Sequence, residues 1–258
     1  MRRIVWMGVI AMMAAMAGTA QTGPPGHKLV RTLVITGDDH PAHHWKETTP
    51  AIVAALNSGT PRFEIVVSED PEVLAKKELF SYRLIVLSYC NWNHPGLSDA
   101  AKKNFVEFLK KGGGLSILHF SNGAFHFSLP NEGGSDWPEY RKICRRVWDH
   151  TPGKSHHDRY GAFHVNIVDR NSSITRDLEG FDTTDELYFN QQGDLPVHVL
   201  ATARSKDTGK DEPMVFTYSY EKARVFQTLL GHDVAAIRTP GETQLIRNGS
   251  LWAAKEGQ

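Results

Sequence analysis

The chain has 258 residues, and its 29 basic and 29 acidic side chains give a formal net charge of zero with histidine neutral. A balanced charge favours neither nucleic acid nor an anionic membrane as a partner. The length suits one large domain or two small ones, and the lack of a linker or repeat in the sequence favours one.

Residues 1–20 have the layout of a secretory signal peptide. Two arginines precede an apolar run, and small residues follow it, so cleavage is expected after Ala20. A membrane anchor is the alternative, but the run is shorter than the ~20 residues of a spanning helix. We therefore expect a periplasmic or secreted protein, with a spacer at 21–28, a single domain at 29–258, and no membrane contact after signal removal.

Strands and helices alternate through the first half of the domain. Apolar, β-branched runs predict strands at 28–37, 62–70, 82–90 and 115–118. A helix is predicted within 46–59, with Thr48 or Thr49 as N-cap and Pro50 in its first turn. A second helix follows the N-cap candidate Ser98 and ends at a run of three glycines. This alternation predicts an α/β fold built on a parallel sheet.

The second half has a different pattern. Four further strands are predicted there, several with alternating polarity, at 161–168, 195–203, 212–220 and 223–231. We expect them to extend the sheet or to form an antiparallel edge. A last helix is predicted at 241–254.

The loops after the first, third and fourth strands each carry histidine or tryptophan with polar neighbours. Because parallel strands end at one edge of the sheet, where such folds bind ligands, these loops should share one pocket. Their candidate residues are His43, His44, Trp92, Asn93, His119 and Asn122.

Two later segments add carboxylates and a further histidine. "DELYF" contains Asp185 and Glu186, and "LGHD" places His232 and Asp233 directly after a predicted strand. Imidazoles and carboxylates bind divalent metals, and they also act as general acids and bases without one. His119, Glu186 and His232 are accordingly candidates both for catalysis and for metal binding. A divalent metal is the one cofactor that this pattern suggests.

The segment "HFSNG" raises the alternative of a serine nucleophile at Ser121. It differs from the G-x-S-x-G elbow because His119 stands in place of the first glycine, and a bulky imidazole there argues against a strained elbow. A turn serine is the better interpretation, and His119 is the preferred functional residue.

The side chains in these loops suit a small-molecule carbohydrate. Indole rings pack against the C–H face of a sugar, and amide groups hydrogen-bond its hydroxyls. Trp92, Asn93 and Asn122 have this chemistry, and we expect them to bind substrate together with His43, His44, Asp185 and Asp233.

Five segments taken in order resemble the ThuA-like family, which is named for trehalose utilisation. They are "VITGDDHPAHHW", "GGGLSILHF", "DELYF", "ARVFQTLLGHD" and "IRNGSLWAA". The resemblance implies the class I glutamine amidotransferase-like superfamily and a flavodoxin-like fold, with a mostly parallel sheet, helices on both faces and an antiparallel extension from the C-terminal half. The superfamily's catalytic cysteine corresponds to His119 or Phe120 here, so amidotransferase chemistry is not expected.

The resemblance also implies a carbohydrate context, in particular 3-keto sugars. The leading expectation is an exported enzyme that cleaves a 3-keto-glycoside by elimination or hydrolysis, with His119, Glu186 and His232 as catalytic residues. A non-catalytic sugar-binding protein and a metal-dependent hydrolase of another substrate are the alternatives. The sequence is compatible with a homo-oligomer, and it leaves open whether Cys90 and Cys144 form a disulfide.

Overall fold

The computed structural model describes residues 28–130 and 134–256, so the predicted signal peptide lies outside the described residues. Its strands in chain order are β1 (Val30–Ile35), β2 (Phe63–Ser68), β3 (Leu84–Leu87), β4 (Gly114–Leu118), β5 (His156–His157), β6 (Gly161–Ile167), β7 (Phe181–Asp185), β8 (Tyr188–Phe189), β9 (His198–Arg204), β10 (Asp211–Tyr220) and β11 (Ala223–Thr228). The α-helices are α1 (Trp45–Leu56), α2 (Asp99–Lys110), α3 (Tyr140–Ile143), α4 (Val234–Ile237) and α5 (Pro240–Ala253).

Nine strands form one mixed sheet in the order β2-β1-β3-β4-β11-β10-β9-β6-β7. The first five strands are parallel, in the doubly wound order of a flavodoxin-like fold. The other four continue the sheet with antiparallel pairing. The predicted α/β class and its antiparallel extension are confirmed. A separate two-stranded sheet pairs β5 with β8.

The parallel strands are buried along nearly their whole length. All four residues of β3 and all five of β4 are buried, as expected of strands covered on both faces. Helix α5 packs against α1 and against β3, β4 and β11, while α2 contacts the short 3-10 helices that follow β2. In the described parts of the chain, no helix is both long and apolar enough to cross a bilayer.

The predicted N-cap of α2 is confirmed, whereas the start of α1 differs from the prediction. The Ser98 hydroxyl accepts a hydrogen bond from the Ala101 N–H at 3.2 Å. Helix α1 begins at Trp45, before Thr48 and Thr49, so Pro50 lies inside it. Both threonines are buried, and the hydroxyl of Thr49 bonds to that of Thr36 at 2.7 Å, so they pack against the end of β1 instead of capping the helix.

Both cysteines are free thiols in buried positions, which answers the question that the sequence left open. Cys90 follows β3, and burial raises the pKa of its thiol. Cys144 directly follows α3 and receives a hydrogen bond from the Gln227 amide at 3.3 Å. Neither thiol is poised for nucleophilic chemistry, because both are buried and have raised pKa values.

Candidate functional site

Three histidines meet above the carboxyl ends of the parallel strands. His43 comes from the turn after β1, His119 directly follows β4, and His232 lies just beyond β11. Their ring centroids are separated by 5.4 Å for His43–His119, 4.9 Å for His43–His232 and 5.5 Å for His119–His232. One nitrogen of each ring lies within 4.8 Å of the other two. The loops after β1 and β4 therefore meet at one edge of the sheet, as the sequence predicted, and the loop after β11 meets them there.

His119 adopts a strained backbone conformation to reach this position. Its φ angle is +43°, in the left-handed region that costs a non-glycine residue about 1–2 kcal/mol. The strain lies at His119 and not at Ser121, the position where a serine nucleophile elbow would have required it. Such strain persists where the surrounding structure holds it, and it is frequent at functional sites.

Hydrogen bonds fix the tautomer of His119. Nδ1 lies 2.7 Å from the carbonyl oxygen of Leu229, which accepts only, so Nδ1 carries the proton. The hydroxyl of Tyr188 lies 2.9 Å from Nε2 and donates to its lone pair. The only lone pair of this imidazole is therefore held beside His43 and His232, with the ring oriented by a backbone carbonyl, as metal-binding histidines commonly are.

Glu186 connects the histidines to the mouth of the pocket. One carboxylate oxygen, Oε2, lies 3.1 Å from His232 Nδ1 and 3.8 Å from His119 Nε2. The other, Oε1, lies 3.7 Å from Nε2 of His157, which is exposed. Burial opposes ionisation, but the neighbouring imidazoles of His119 and His232 outweigh it and hold the pKa of Glu186 well below its usual range. Glu186 is therefore a carboxylate.

The same contacts divide the histidines by charge. Burial, with the neighbouring imidazoles of His119 and His232, lowers the pKa of His43 to about 2, so this ring is neutral. Burial also acts to lower the pKa of His232, but the carboxylate of Glu186 prevails and raises it. The site thus contains a neutral imidazole, an oriented lone pair on His119, and a carboxylate that favours the protonated form of His232.

Asp185 holds the backbone of the site in place. It is fully buried, and its carboxylate accepts hydrogen bonds from the backbone N–H groups of Glu186, Gly231 and His232 at 2.7, 2.7 and 3.1 Å. The carboxylate thereby joins the end of β7 to the loop after β11. This position does not fit the predicted substrate contact, because its oxygens face backbone amides; Asp185 positions Glu186 and His232.

Two of the other predicted binding residues line the pocket. Trp92 stacks on His40 with centroids 4.0 Å apart, and it lies nearly parallel to His43. Asn122 donates to Arg146 and Gln191 through its amide nitrogen, while its oxygen Oδ1 has no protein partner. The indole N–H of Trp92 is likewise buried without a partner.

Three predicted binding residues lie outside the cavity lining. His44 is exposed at the N-cap of α1, and Asn93 is exposed in the loop after β3. Asp233 caps α4 by accepting from the Ala236 N–H at 2.9 Å, and it also accepts from Tyr160. Local chain geometry explains these positions, since a helix cap and a turn direct these side chains away from the cavity.

Several residues outside the predicted binding set also line the cavity. Besides His43, Trp92, Asn122 and Glu186, they are His40, Ala42, Phe120, Trp148, His150, His157 and Tyr188. Tyr188 and His157 are brought together by the pairing of β8 with β5. The signal available was the histidine-rich segment around 148–164, but nothing local in the sequence indicated its partner strand.

Ser121 is a structural residue, as the sequence favoured. It is fully buried, its hydroxyl donates to the carbonyl oxygen of Leu87, and it accepts from the N–H of Tyr89, both at 2.9 Å. The side chain thus joins the ends of β3 and β4. Its hydroxyl does not point into the cavity and has no histidine partner.

The protein is a flavodoxin-like α/β domain. Its pocket lies at the strand ends and contains several histidines and one carboxylate. The family model for ThuA, described as trehalose utilisation, matches residues 31–253, and the chain belongs to that family. No curated protein shows a significant match to the sequence.

Solved structures agree with this assignment. A ThuA-like protein from Parabacteroides merdae is 27% identical, with a TM-score of 0.75 over 90% of this chain and 92% of that one. Another from Bacteroides uniformis is 17% identical, with a TM-score of 0.66 over 92% and 95%. A β-galactosidase from Bacillus circulans sp. alkalophilus is 11% identical, with a TM-score of 0.52 over 85% of this chain and 30% of that one, and this likeness concerns the fold alone.

Proposed function

We propose that this protein is an exported enzyme that cleaves 3-keto-glycosides by elimination, with a divalent metal bound by His43, His119 and His232. The observation that carries the proposal is the convergence of three imidazoles beside the carboxylate of Glu186. The carbohydrate context is supported by the family description, trehalose utilisation. Export is supported by the signal-like sequence at 1–20, outside the described residues.

The donor set fits a divalent transition metal. Three imidazoles with an open position resemble a catalytic zinc site, which binds the metal through three protein ligands and leaves the fourth for water or substrate. Metal binding would displace the proton that Glu186 favours on His232. His43 supplies a buried nitrogen, Nδ1, without a protein partner, and His119 presents an oriented lone pair. A metal at this place would act as a Lewis acid on the keto oxygen of the substrate.

Glu186 is suited to transfer the proton. A 3-keto group acidifies the hydrogen on C2, and a carboxylate beside the sugar ring can remove it. The C2–H and C1–O bonds then break, a C1=C2 double bond forms, and the proton passes from Glu186 to the departing glycosidic oxygen. The reaction needs no external oxidant or reductant, and the products are an unsaturated keto sugar and a free alcohol.

Unpartnered polar atoms in the cavity wall support a hydroxylated ligand. The Asn122 oxygen is an acceptor and the Trp92 indole N–H is a donor, and buried groups of this kind normally have partners. A sugar hydroxyl both donates and accepts, so it has the chemistry to partner either atom.

Product analysis by NMR tests the proposal. The purified protein is incubated with a 3-keto-disaccharide, with and without a chelator, and elimination should give a new olefinic proton signal that the chelator suppresses. Direct hydrolysis would release the sugar without that signal and would contradict elimination. Saturable shifts of the sugar signals without cleavage would support a sugar-binding protein instead.

A matched pair of variants separates chemistry from folding. Glu186→Gln should lower kcat by about 10²–10⁴-fold, the usual effect of removing a general base, while the bound metal content stays the same. Glu64→Gln makes the same change at an exposed position on the edge strand β2 and should leave kcat unchanged. Equal activity of the two variants would contradict the role of Glu186.

A further inference from the structure

The cavity lined by His43 and Glu186, beside His119 and His232, is small. Its volume is about 210 Å³. Pockets that enclose drug-sized ligands begin at about 300 Å³. The cavity therefore has room for one six-membered sugar ring and not for two.

The lining residues of the cavity differ in exposure. Trp92, Phe120 and Asn122 are all at most 8% exposed and form its closed part. Asn122 is held by hydrogen bonds to the Arg146 carbonyl and the Gln191 side chain, so this wall does not open by a simple side-chain rotation. Of the lining residues, Ala42 and His157 are the exposed ones, and they mark the mouth.

Glu186 gives the bound ring a direction. Its Oε2 faces His119 and His232, whereas its Oε1 faces His157 at the mouth. In an elimination the broken C1–O bond lies next to the C2–H bond that Glu186 attacks. With the ring in the closed part of the cavity, the glycosidic oxygen is therefore directed toward the mouth.

We propose that the enzyme acts only on a terminal keto-sugar, whose single ring fills the cavity while the aglycone extends past Ala42 and His157 into solvent. This inference rests on the proposed function and specifies its substrate class. The aglycone can then vary in size, because it meets no closed wall. A second sugar attached to the keto ring itself has no space.

Three substrates test this selectivity on the full-length mature protein. They are a methyl 3-keto-glucoside, a 3-keto-disaccharide with a free keto ring, and a 3-keto-glucoside that carries another sugar on O4 of the keto ring. The first two should have kcat/KM values within about tenfold of each other, and the third should be at least about 100-fold poorer. Cleavage of the third at a comparable rate would overturn the inference and leave the proposed function intact. No cleavage of any of the three would reject the proposed function and the inference with it.

Substitution at the mouth provides an independent check. Ala42→Trp should lower kcat/KM for the disaccharide at least about tenfold more than for the methyl glycoside, since only the larger aglycone needs that space. Ala100→Trp places the same side chain on the exposed surface of α2 and should preserve the wild-type ratio. An unchanged ratio in Ala42→Trp would show that the aglycone leaves elsewhere and would overturn the proposed orientation.

Discussion

Tyr188→Phe should tighten the binding of a divalent metal. The Tyr188 hydroxyl donates to His119 Nε2 at 2.9 Å, and the proposed metal would use the same lone pair. In the proposed site the wild-type protein would have to break this bond to bind the ion, whereas the variant has no such bond and retains the aromatic ring. A neutral hydrogen bond contributes about 0.5–1.5 kcal/mol, so the affinity should rise between about 2-fold and about 12-fold.

Isothermal titration of the metal-free protein with Zn²⁺ at pH 7.5 measures this effect, with a competing chelator if binding is tight. Tyr218→Phe is the matched control, because that buried hydroxyl bonds to Ile143 and Gln227 away from the histidines. Its Zn²⁺ affinity should equal that of the wild type. An unchanged or weaker affinity in Tyr188→Phe would show that His119 Nε2 is not a ligand and would refute the metal site as drawn.

Three further outcomes concern stability and the role of individual side chains. The pKa of His43 is about 2 in the folded protein, so below pH 6.5 the unfolded chain binds a proton at this residue that the folded chain does not. His43 therefore lowers the free energy of unfolding by about 1.4 kcal/mol per pH unit as the pH falls toward 4.5. Urea titrations of His43→Gln should show a shallower loss of stability with falling pH, and the same loss in variant and wild type would contradict this. Asp185→Asn should lose about 1.5–3 kcal/mol in urea unfolding, because an amide cannot replace the charged acceptor of the Gly231 N–H, and an unaltered midpoint would speak against that role. Ser121→Ala should keep its kcat but lose about 1–3 kcal/mol of stability, since the Tyr89 N–H loses its partner, whereas a large fall in kcat at normal stability would restore the serine as a nucleophile.

Local patterns were sufficient to predict the parallel core. The apolar runs of β1, β3 and β4 are buried on both faces, and the Ser98 cap begins α2 as its residue type indicates. The start of α1 could not be read in the same way. Thr48 and Thr49 have the chemistry of N-caps, but tertiary packing of Thr49 against Thr36 outweighs that preference.

The sequence could predict those site residues that directly follow a strand of the parallel sheet. His43, His119 and His232 follow parallel strands, so the topology alone brings them together. His157 and Tyr188 reach the same cavity through the pairing of β5 with β8, which joins segments about thirty residues apart in sequence and leaves no local periodic signal. Asp185 was chosen for its charge, but its burial against three backbone amides was not visible in the sequence.

The two sides of the pocket come from different parts of the sheet. The three imidazoles follow β1, β4 and β11 of the parallel half, whereas Glu186 follows β7, the outermost strand of the antiparallel extension. Asp185, the last residue of β7, also accepts from the backbone N–H of His232, so replacement of the extension would remove Glu186 and loosen His232 as well. The pocket is therefore not a property of the parallel half alone, since the outermost strand sets the position of its carboxylate and of one of its imidazoles.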